Sequence, residues 1–278
     1  MKKIKVKDIS RKISEAFIDI NYNLSSDVIS ALKKTLKKET SSLGRFTLRN
    51  ILVNAELAGK MRVPLCQDCG LAVVYVEAGE DVSLDGSLVK AINNGVKDAY
   101  KKGYLRKSVC DPVTRRNTNT NLPPLIHVEY VKGKSIRLYL MSKGGGSENK
   151  SRLKMLTPSD GIDGIEDFIC ETVELAGASA CPPFMLGVGI GGSFDKVTVL
   201  AKKALFRRVG SKNKKASLQK LESRIFKKVN SLGIGPGGFG GKTTTLAVHI
   251  EMKECHIASL PVAVNINCHS SRYKCIKL

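Results

Sequence analysis

Apolar residues recur at helical spacing from the start of the chain. Ile9, Ile13, Phe17 and Ile20 fall on one face of a first helix, and Val28, Ile29, Leu32 and Leu36 on one face of a second. Ser25, Ser26 and Asp27 lie between them and carry the short oxygen-bearing side chains that cap helix N-termini. A third helix is expected over 47–60, delivering the chain to Pro64. The period then becomes that of strands. Segment 71–78 (LAVVYVEA) is apolar and β-branched, 126–131 (IHVEYV) and 135–141 (SIRLYLM) flank a Lys–Gly turn and read as a hairpin, and 185–191 (MLGVGIG) is a further strand. Helical patterns return at 87–101, 163–178, 195–207 and 216–231, and TTLAVHIEM and SLPVAVNIN close the chain as strands. This is not the strict alternation of βαβ units. The expected class is α+β, with a helical N-terminal part (1–62) followed by a mixed, largely antiparallel sheet with flanking helices (63–278), all within one domain of 278 residues.

Composition narrows the class further. Apolar residues make up 42% and charged residues 26%, as in ordinary soluble globular proteins. No apolar run approaches the ~20 residues a membrane span needs. The basic start, MKKIKVKDISRK, has no apolar core behind it, so neither a span nor a secretory signal is expected and the cytoplasm is the expected location. Lys and Arg number 46 against 25 Asp and Glu, a net charge of +21. Such a field attracts nucleic acid, anionic metabolites or an acidic partner alike. A nucleic-acid module is absent from the pattern: there is no finger spacing and no aromatic RNA-binding signature, and aromatics are 5% with no Trp to stack bases. The Lys pairs at 33–34, 101–102 and 202–203 fall on the polar positions of helices, which marks a solvated basic surface.

Eight cysteines are present, Cys66, Cys69, Cys110, Cys170, Cys181, Cys255, Cys268 and Cys275, and without a secretion signal reduced thiols are expected. Several of them share loops at strand ends with clustered glycines: VPLCQDCG, KGGGSENK, SACPPF, GIGPGGFGGKTT and INCHSSR. Loops on a rigid scaffold are where chemistry is commonly placed. The pair Cys66 and Cys69 has C-x-x-C spacing, yet no second pair follows at zinc-site spacing, and the motif precedes a strand instead of opening a helix. In Cys181-Pro182-Pro183, proline fixes the backbone and offers no N–H, as in iron–sulfur ligand loops; a buried Cys beside a turn is the alternative. Cys268 ends an apolar strand among polar residues, where a thiol without chemistry is equally expected. Segment 233–244 approaches the phosphate-loop pattern, but Pro236 stands where its first glycine is required and a helix precedes it. A glycine-rich loop that lets backbone approach an anion or a cluster fits better. The three glycines of KGGGSENK can likewise offer N–H groups to a carboxylate, with a plain flexible turn as the alternative.

Taken in order, VPLCQDCG, YLRKS, DPVTRRNTNTNLPP, KGGGSENK, ACPPF, GIGPGGFGGKTT and CHIASLPVAVNINCHSSR resemble the alpha subunit, or N-terminal domain, of class I iron–sulfur fumarases and the similar L(+)-tartrate dehydratases, over residues from about 45 to 273. The resemblance implies a 4Fe–4S cluster on three cysteines, which match Cys66, Cys181 and Cys268 here. It implies contacts to a small dicarboxylate at Gln67, Asp68, Arg106, Gly146 and His256, with Asp68 and His256 in catalytic parts. Three thiolates leave one iron with an open position, where it acts as a Lewis acid on a substrate hydroxyl and carboxylate. The proton lost is α to a carboxylate, so negative charge accumulates there, which Arg106 and the Gly146 backbone are suited to hold. Asp68 is a fitting acid for the departing oxygen, and His256 for orienting the carboxylate or Asp68. One departure is Cys69, where the family usually has Thr; it is either a neutral replacement or a rival ligand. Single-chain members carry a further domain with a Thr base and more Arg and Lys contacts. A separate beta subunit and an α2β2 assembly are therefore expected. The expected activity is that of a hydro-lyase, reversible hydration of fumarate to (S)-malate, with conversion of L(+)-tartrate to oxaloacetate as the alternative.

Overall fold

The computed structural model describes residues 2–278. The fold is α+β and divides into two compact units: the chain up to Ser25 with Asn54–Gly145 and Arg272–Leu278, and Ser26–Val53 with Gly146–Ser271. Numbering elements in chain order, the first unit contains β1 (Lys2–Ile4), α1 (Val6–Tyr22), β2 (Leu71–Gly79), β3 (Val82–Leu84), α4 (Leu88–Lys102), β4 (Leu125–Val131), β5 (Ile136–Lys143) and β10 (Arg272–Lys277). The second contains α2 (Ser26–Lys38), β6 (Arg152–Leu156), α6 (Gly161–Ala176), β7 (Phe184–Gly191), α7 (Phe194–Ala204), α8 (Ala216–Ser231), β8 (Thr245–Lys253) and β9 (Leu260–Asn267). The division between the units falls within α3 (Ser42–Met61) and again at the start of the short α5 (Gly145–Glu148). Among the described residues no helix is long and apolar enough to cross a membrane.

In the first unit, Ile9, Ile13, Phe17 and Ile20 of α1 are buried with Ile92, Val96, Ala99 and Tyr100 of α4 and with Val74, Val76, Leu138 and Leu140 of the sheet. The sheet order is β10-β5-β2-β4, with β2 parallel to β4 and antiparallel to β5. The expected hairpin between 126–131 and 135–141 is therefore not formed, because β2 lies between its two arms. Burial explains this. Residues 72–76 of β2 are all buried and need partners on both edges, whereas β4 alternates towards solvent and suits an edge. The 132–135 turn straddles the end of β2: Gly79 N–H donates to Ser135 O at 3.0 Å and Asp81 N–H to Gly133 O at 3.1 Å.

The second unit is built on the sheet β6-β9-β7-β8, in which β7 runs parallel to β8 and antiparallel to β9. Every residue of β7 is buried. Its larger side chains, Leu186, Val188 and Ile190, join Phe168, Ile169 and Val173 of α6 and Ile225 and Val229 of α8. The glycines between them lie on the face that carries α7, where a Cβ on Gly187 would fall 2.2 Å from Ala201 O and one on Gly189 2.1 Å from Val197 O. The GVG alternation thus lets a helix backbone rest directly on the strand. The chain opens with helices as expected; α1 packs in the first unit, while α2 belongs to the second, where Asp27 Oδ2 accepts Val209 N–H at 2.7 Å.

Candidate functional site

The Cys66–Gly70 loop enters β2 in the first unit, and its shape is set by Asp68. Asp68 Oδ1 accepts Gly70 N–H at 2.9 Å and Oδ2 accepts Gly145 N–H at 2.7 Å, so one carboxylate ties the loop to the start of the KGGG segment. Gly70 has φ 72° and its absent Cβ would meet Lys143 C and O at 2.6 Å, an approach only glycine allows. Beneath the loop lies a buried polar network. The Tyr100 hydroxyl stands 2.8 Å from Cys69 O and 2.9 Å from Gly70 O, and burial pushes its phenol up. Asn121 donates to Gly70 O at 3.2 Å while its Oδ1 accepts Ser108 N–H at 2.6 Å and Val109 N–H at 3.2 Å. Arg272 Nη1 donates to Asp68 O at 2.7 Å.

Cys69 is 1% exposed, and its sulfur accepts Arg106 N–H at 3.2 Å. Burial raises its thiol pKa more than that N–H lowers it, which favours a protonated, hydrogen-bonding sulfur over a rival metal ligand. A Thr hydroxyl could accept the same bond. Cys69→Thr is accordingly expected to keep native stability, and Cys69→Val to cost about 1 kcal/mol in urea unfolding by leaving the Arg106 N–H unpaired. The Arg106 side chain itself is exposed, as is Gln67.

In the second unit, Cys181 follows a tight turn in left-handed backbone (φ 54°, ψ 66°) and is exposed. Because β7 and β9 are antiparallel, with Met185 opposite Asn267, the residues before β7 and after β9 meet at one sheet end. There Cys181 O accepts His269 N–H at 3.3 Å and lies 3.0 Å from His269 Nδ1, joining the Cys181 and Cys268 loops. Gly237 N–H donates to Pro182 O at 2.8 Å, which brings the glycine-rich loop to the same end. A Cβ on Gly146 would lie 3.9 Å from Ser179 O, so Gly146 is there as well. The glycine-rich loop runs from α8 to β8, the reverse of the strand-to-helix order of a phosphate loop.

His256 is placed elsewhere. It sits exposed in the β8–β9 connection, its Nδ1 accepting Ala258 N–H at 3.1 Å. The eight residues of β9 separate it from Cys268, roughly 25 Å of extended strand.

Among the described residues none of the eight cysteines is in a disulfide. Among the described residues no three His, Cys, Asp or Glu are grouped as a site for a metal ion. Two accessible thiols on mutually bonded loops, beside glycines that leave backbone room, fit the donor chemistry of an iron–sulfur cluster. Cys66, the third thiol that the resemblance implies, is half-buried in the first unit.

Two cations escaped the motif reading although they stand inside quoted motifs: Lys143 of KGGG and Arg272 of CHSSR, each 1% exposed. Lys143 closes β5 and Arg272 opens β10, strand-end positions at which a charged residue gives no sign of burial.

Residues 10–277 match the family model described as fumarate hydratase (Fumerase). A Methanocaldococcus jannaschii protein provisionally named L(+)-tartrate dehydratase subunit alpha is 41% identical over 271 residues, 95% of each chain. The L(+)-tartrate dehydratase subunit alpha of Escherichia coli K12 is 32% identical over 257 residues, covering 91% of this chain and 85% of its own. The protein of the same name from Shigella sonnei has the same identity and coverage. A family match over nearly the whole chain, with the cysteine and glycine loops gathered as described, establishes that this chain belongs to the fumarate hydratase (Fumerase) family.

Proposed function

We propose that the chain is the catalytic α subunit of a cytoplasmic iron–sulfur hydro-lyase that adds water to fumarate or removes it from (S)-malate. The observation that carries the reading is the joining of the Cys181 and Cys268 loops at one sheet end with Gly146 beside them. Dehydration of L(+)-tartrate is the second reading, favoured by the names of the relatives. The reaction class is the same, since both remove a hydroxyl β to one carboxylate and a proton α to it.

Cys66, Cys181 and Cys268 would hold the 4Fe–4S cluster. When bound, the cluster supplies a Lewis-acidic iron at the hydroxyl that leaves or arrives. Asp68, with its carboxylate fixed by Gly70 and Gly145 amides, is the proposed proton carrier for that oxygen. Arg106 is held at its backbone by Cys69 and presents an exposed guanidinium, suited to bidentate contact with a substrate carboxylate. Gln67 and the Gly146 backbone complete the proposed contacts. His256, at the far end of β9, would serve in trans, in the site of the second α chain of an α2β2 assembly. The names of the relatives as subunits alpha support a separate β subunit, to which we assign the base that removes the α-proton.

The test is anaerobic reconstitution of the chain with iron and sulfide, mixing with the β subunit, and parallel assay on fumarate and L(+)-tartrate. A brown chain and turnover of one of them are expected. A loaded complex that turns over neither would refute the proposal. In the same assay Arg106→Ala is expected to lower kcat/KM about 10- to 100-fold, mainly through KM, for a lost charged contact of about 1.5–3 kcal/mol, with iron content unchanged. Unchanged kinetics would remove Arg106 from the site.

A further inference from the structure

Arg272 is the largest side chain in the protein with less than 2% exposure. It opens β10 opposite Ser142 of β5, and its guanidinium lies inside the first unit. Nη1 donates to Asp68 O at 2.7 Å and to Asn21 Oδ1 at 3.0 Å. Nε is sealed from solvent without a partner, and no carboxylate forms an ion pair with the group among the described residues. Burying an unpaired guanidinium is costly, and an apolar side chain of similar volume is often the more stable choice at such a position. Stability alone therefore does not account for an arginine here.

Its surroundings do. Asn21 is anchored in turn, its Nδ2 donating to Phe17 O and to Ser142 Oγ, both at 2.8 Å, so the far end of the bridge is fixed to α1 and β5. On the near side, a Cβ on Gly144 would lie 3.1 Å from Asp68 Oδ2 and 3.5 Å from Arg272 Nη2. Carboxylate and guanidinium thus border one gap the size of a methyl group without closing on each other. We propose that Arg272 is a positioning residue. It clamps the main chain at Asp68 to α1 and β5, and thereby sets where the Asp68 carboxylate stands against the Gly144–Gly145 backbone. Its kinetic consequence rests on the lyase reading; the clamp itself does not.

Arg272→Met and Arg272→Lys test this in the full chain, alone for exchange and melting and with the β subunit for kinetics. In Arg272→Met, the amides of Gly70 and Gly145, both held by the Asp68 carboxylate, should exchange about tenfold faster or more while the core strands of the unit keep their protection. The melting temperature should stay within about 4 °C of native, because relief of the buried charge offsets the Asn21 and Asp68 oxygens left without their donor. With the β subunit, kcat should fall about 100-fold and KM stay within about threefold, as for a displaced reacting group. Arg272→Lys, which keeps the charge and can reach Asp68 O, should lie between native and Met in both exchange and kcat. Unchanged exchange at Gly70 and Gly145 overturns the proposal. So does an Arg272→Met chain that melts well below native, loses protection throughout the unit or fails to fold, since the residue would then be structural. A Lys variant no better than Met also counts against it. If the native complex turns over no dicarboxylate, the lyase reading fails, and exchange and melting still decide the role of Arg272.

Discussion

Cys181→Ser is expected to leave the anaerobically reconstituted chain colourless and inactive with its β subunit, whereas Cys275→Ser keeps both colour and rate. The two thiols differ in ways that oppose a merely chemical equivalence. Cys181 is exposed on a left-handed turn bonded to the loop after Cys268, at a sheet end where the glycine-rich loop and Gly146 also arrive. A thiolate is the form that binds iron, and nothing buries this sulfur away from it. Cys275 is exposed as well, but it sits within the regular pairing of β10, opposite Tyr139 of β5, and belongs to none of the segments that carry the family resemblance. Bound iron in Cys181→Ser should fall below about a tenth of native, since a serine hydroxyl does not ionise at neutral pH as a thiol does. Iron content, visible absorbance and turnover check both variants. Loss of iron from Cys275→Ser with retention in Cys181→Ser would reverse the ligand assignment.

What the chain's own pattern disclosed, and what it hid, follows from the reach of each signal. Helices α1 and α2 were legible because Ile9, Ile13, Phe17 and Ile20, then Val28 and Leu32, repeat on one face and are buried in the fold. Helix α3 begins at Ser42, earlier than its apolar pattern suggests, because Glu39 Oε1 accepts the Thr40 and Ser41 amides at 2.9 and 3.0 Å and organises the turn before it. Strand pairing was not legible: adjacency in sequence made β4 and β5 look like a hairpin, and only the burial of β2 on both faces demands that it separate them. Strands β6 and β10 were missed because Arg, Lys and Cys interrupt their apolar alternation. For the site, motif wording located the loops, while geometry came from contacts far apart in sequence. His256 is close to Cys268 in sequence, yet β9 carries them to opposite sheet ends. Tyr100, Asn121 and Arg272 support the Asp68 loop from three other elements, a relation that no spacing rule reports.

The largest effect on stability is expected at Gly189. Its backbone is ordinary strand, so the demand for glycine there is steric. An added Cβ would meet Val197 O at 2.1 Å and Ala201 N at 2.8 Å, both main-chain atoms of α7 that cannot rotate away. Gly187 faces the same helix, with Ala201 O at 2.2 Å, so relief by tilting α7 towards that end is blocked as well. Overpacking usually costs 1–3 kcal/mol, and a clash with helix backbone belongs at the upper end; Gly189→Ala should therefore lose about 3 kcal/mol or more in urea unfolding. Gly210→Ala is the matched control. Its φ of 86° strains any L side chain, but nothing lies within 4 Å of the added carbon, so only the conformational cost of about 1–2 kcal/mol is expected. The larger loss should also reach the site, because β7 is the strand that holds the Cys181 loop against the end of β9 through the pairing of Met185 with Asn267. Weaker iron retention in Gly189→Ala than in Gly210→Ala would follow from that coupling. Should Gly189→Ala unfold within about 1 kcal/mol of native, the direct seating of α7 on β7 would be wrong, and with it the account of what fixes the cysteine loops.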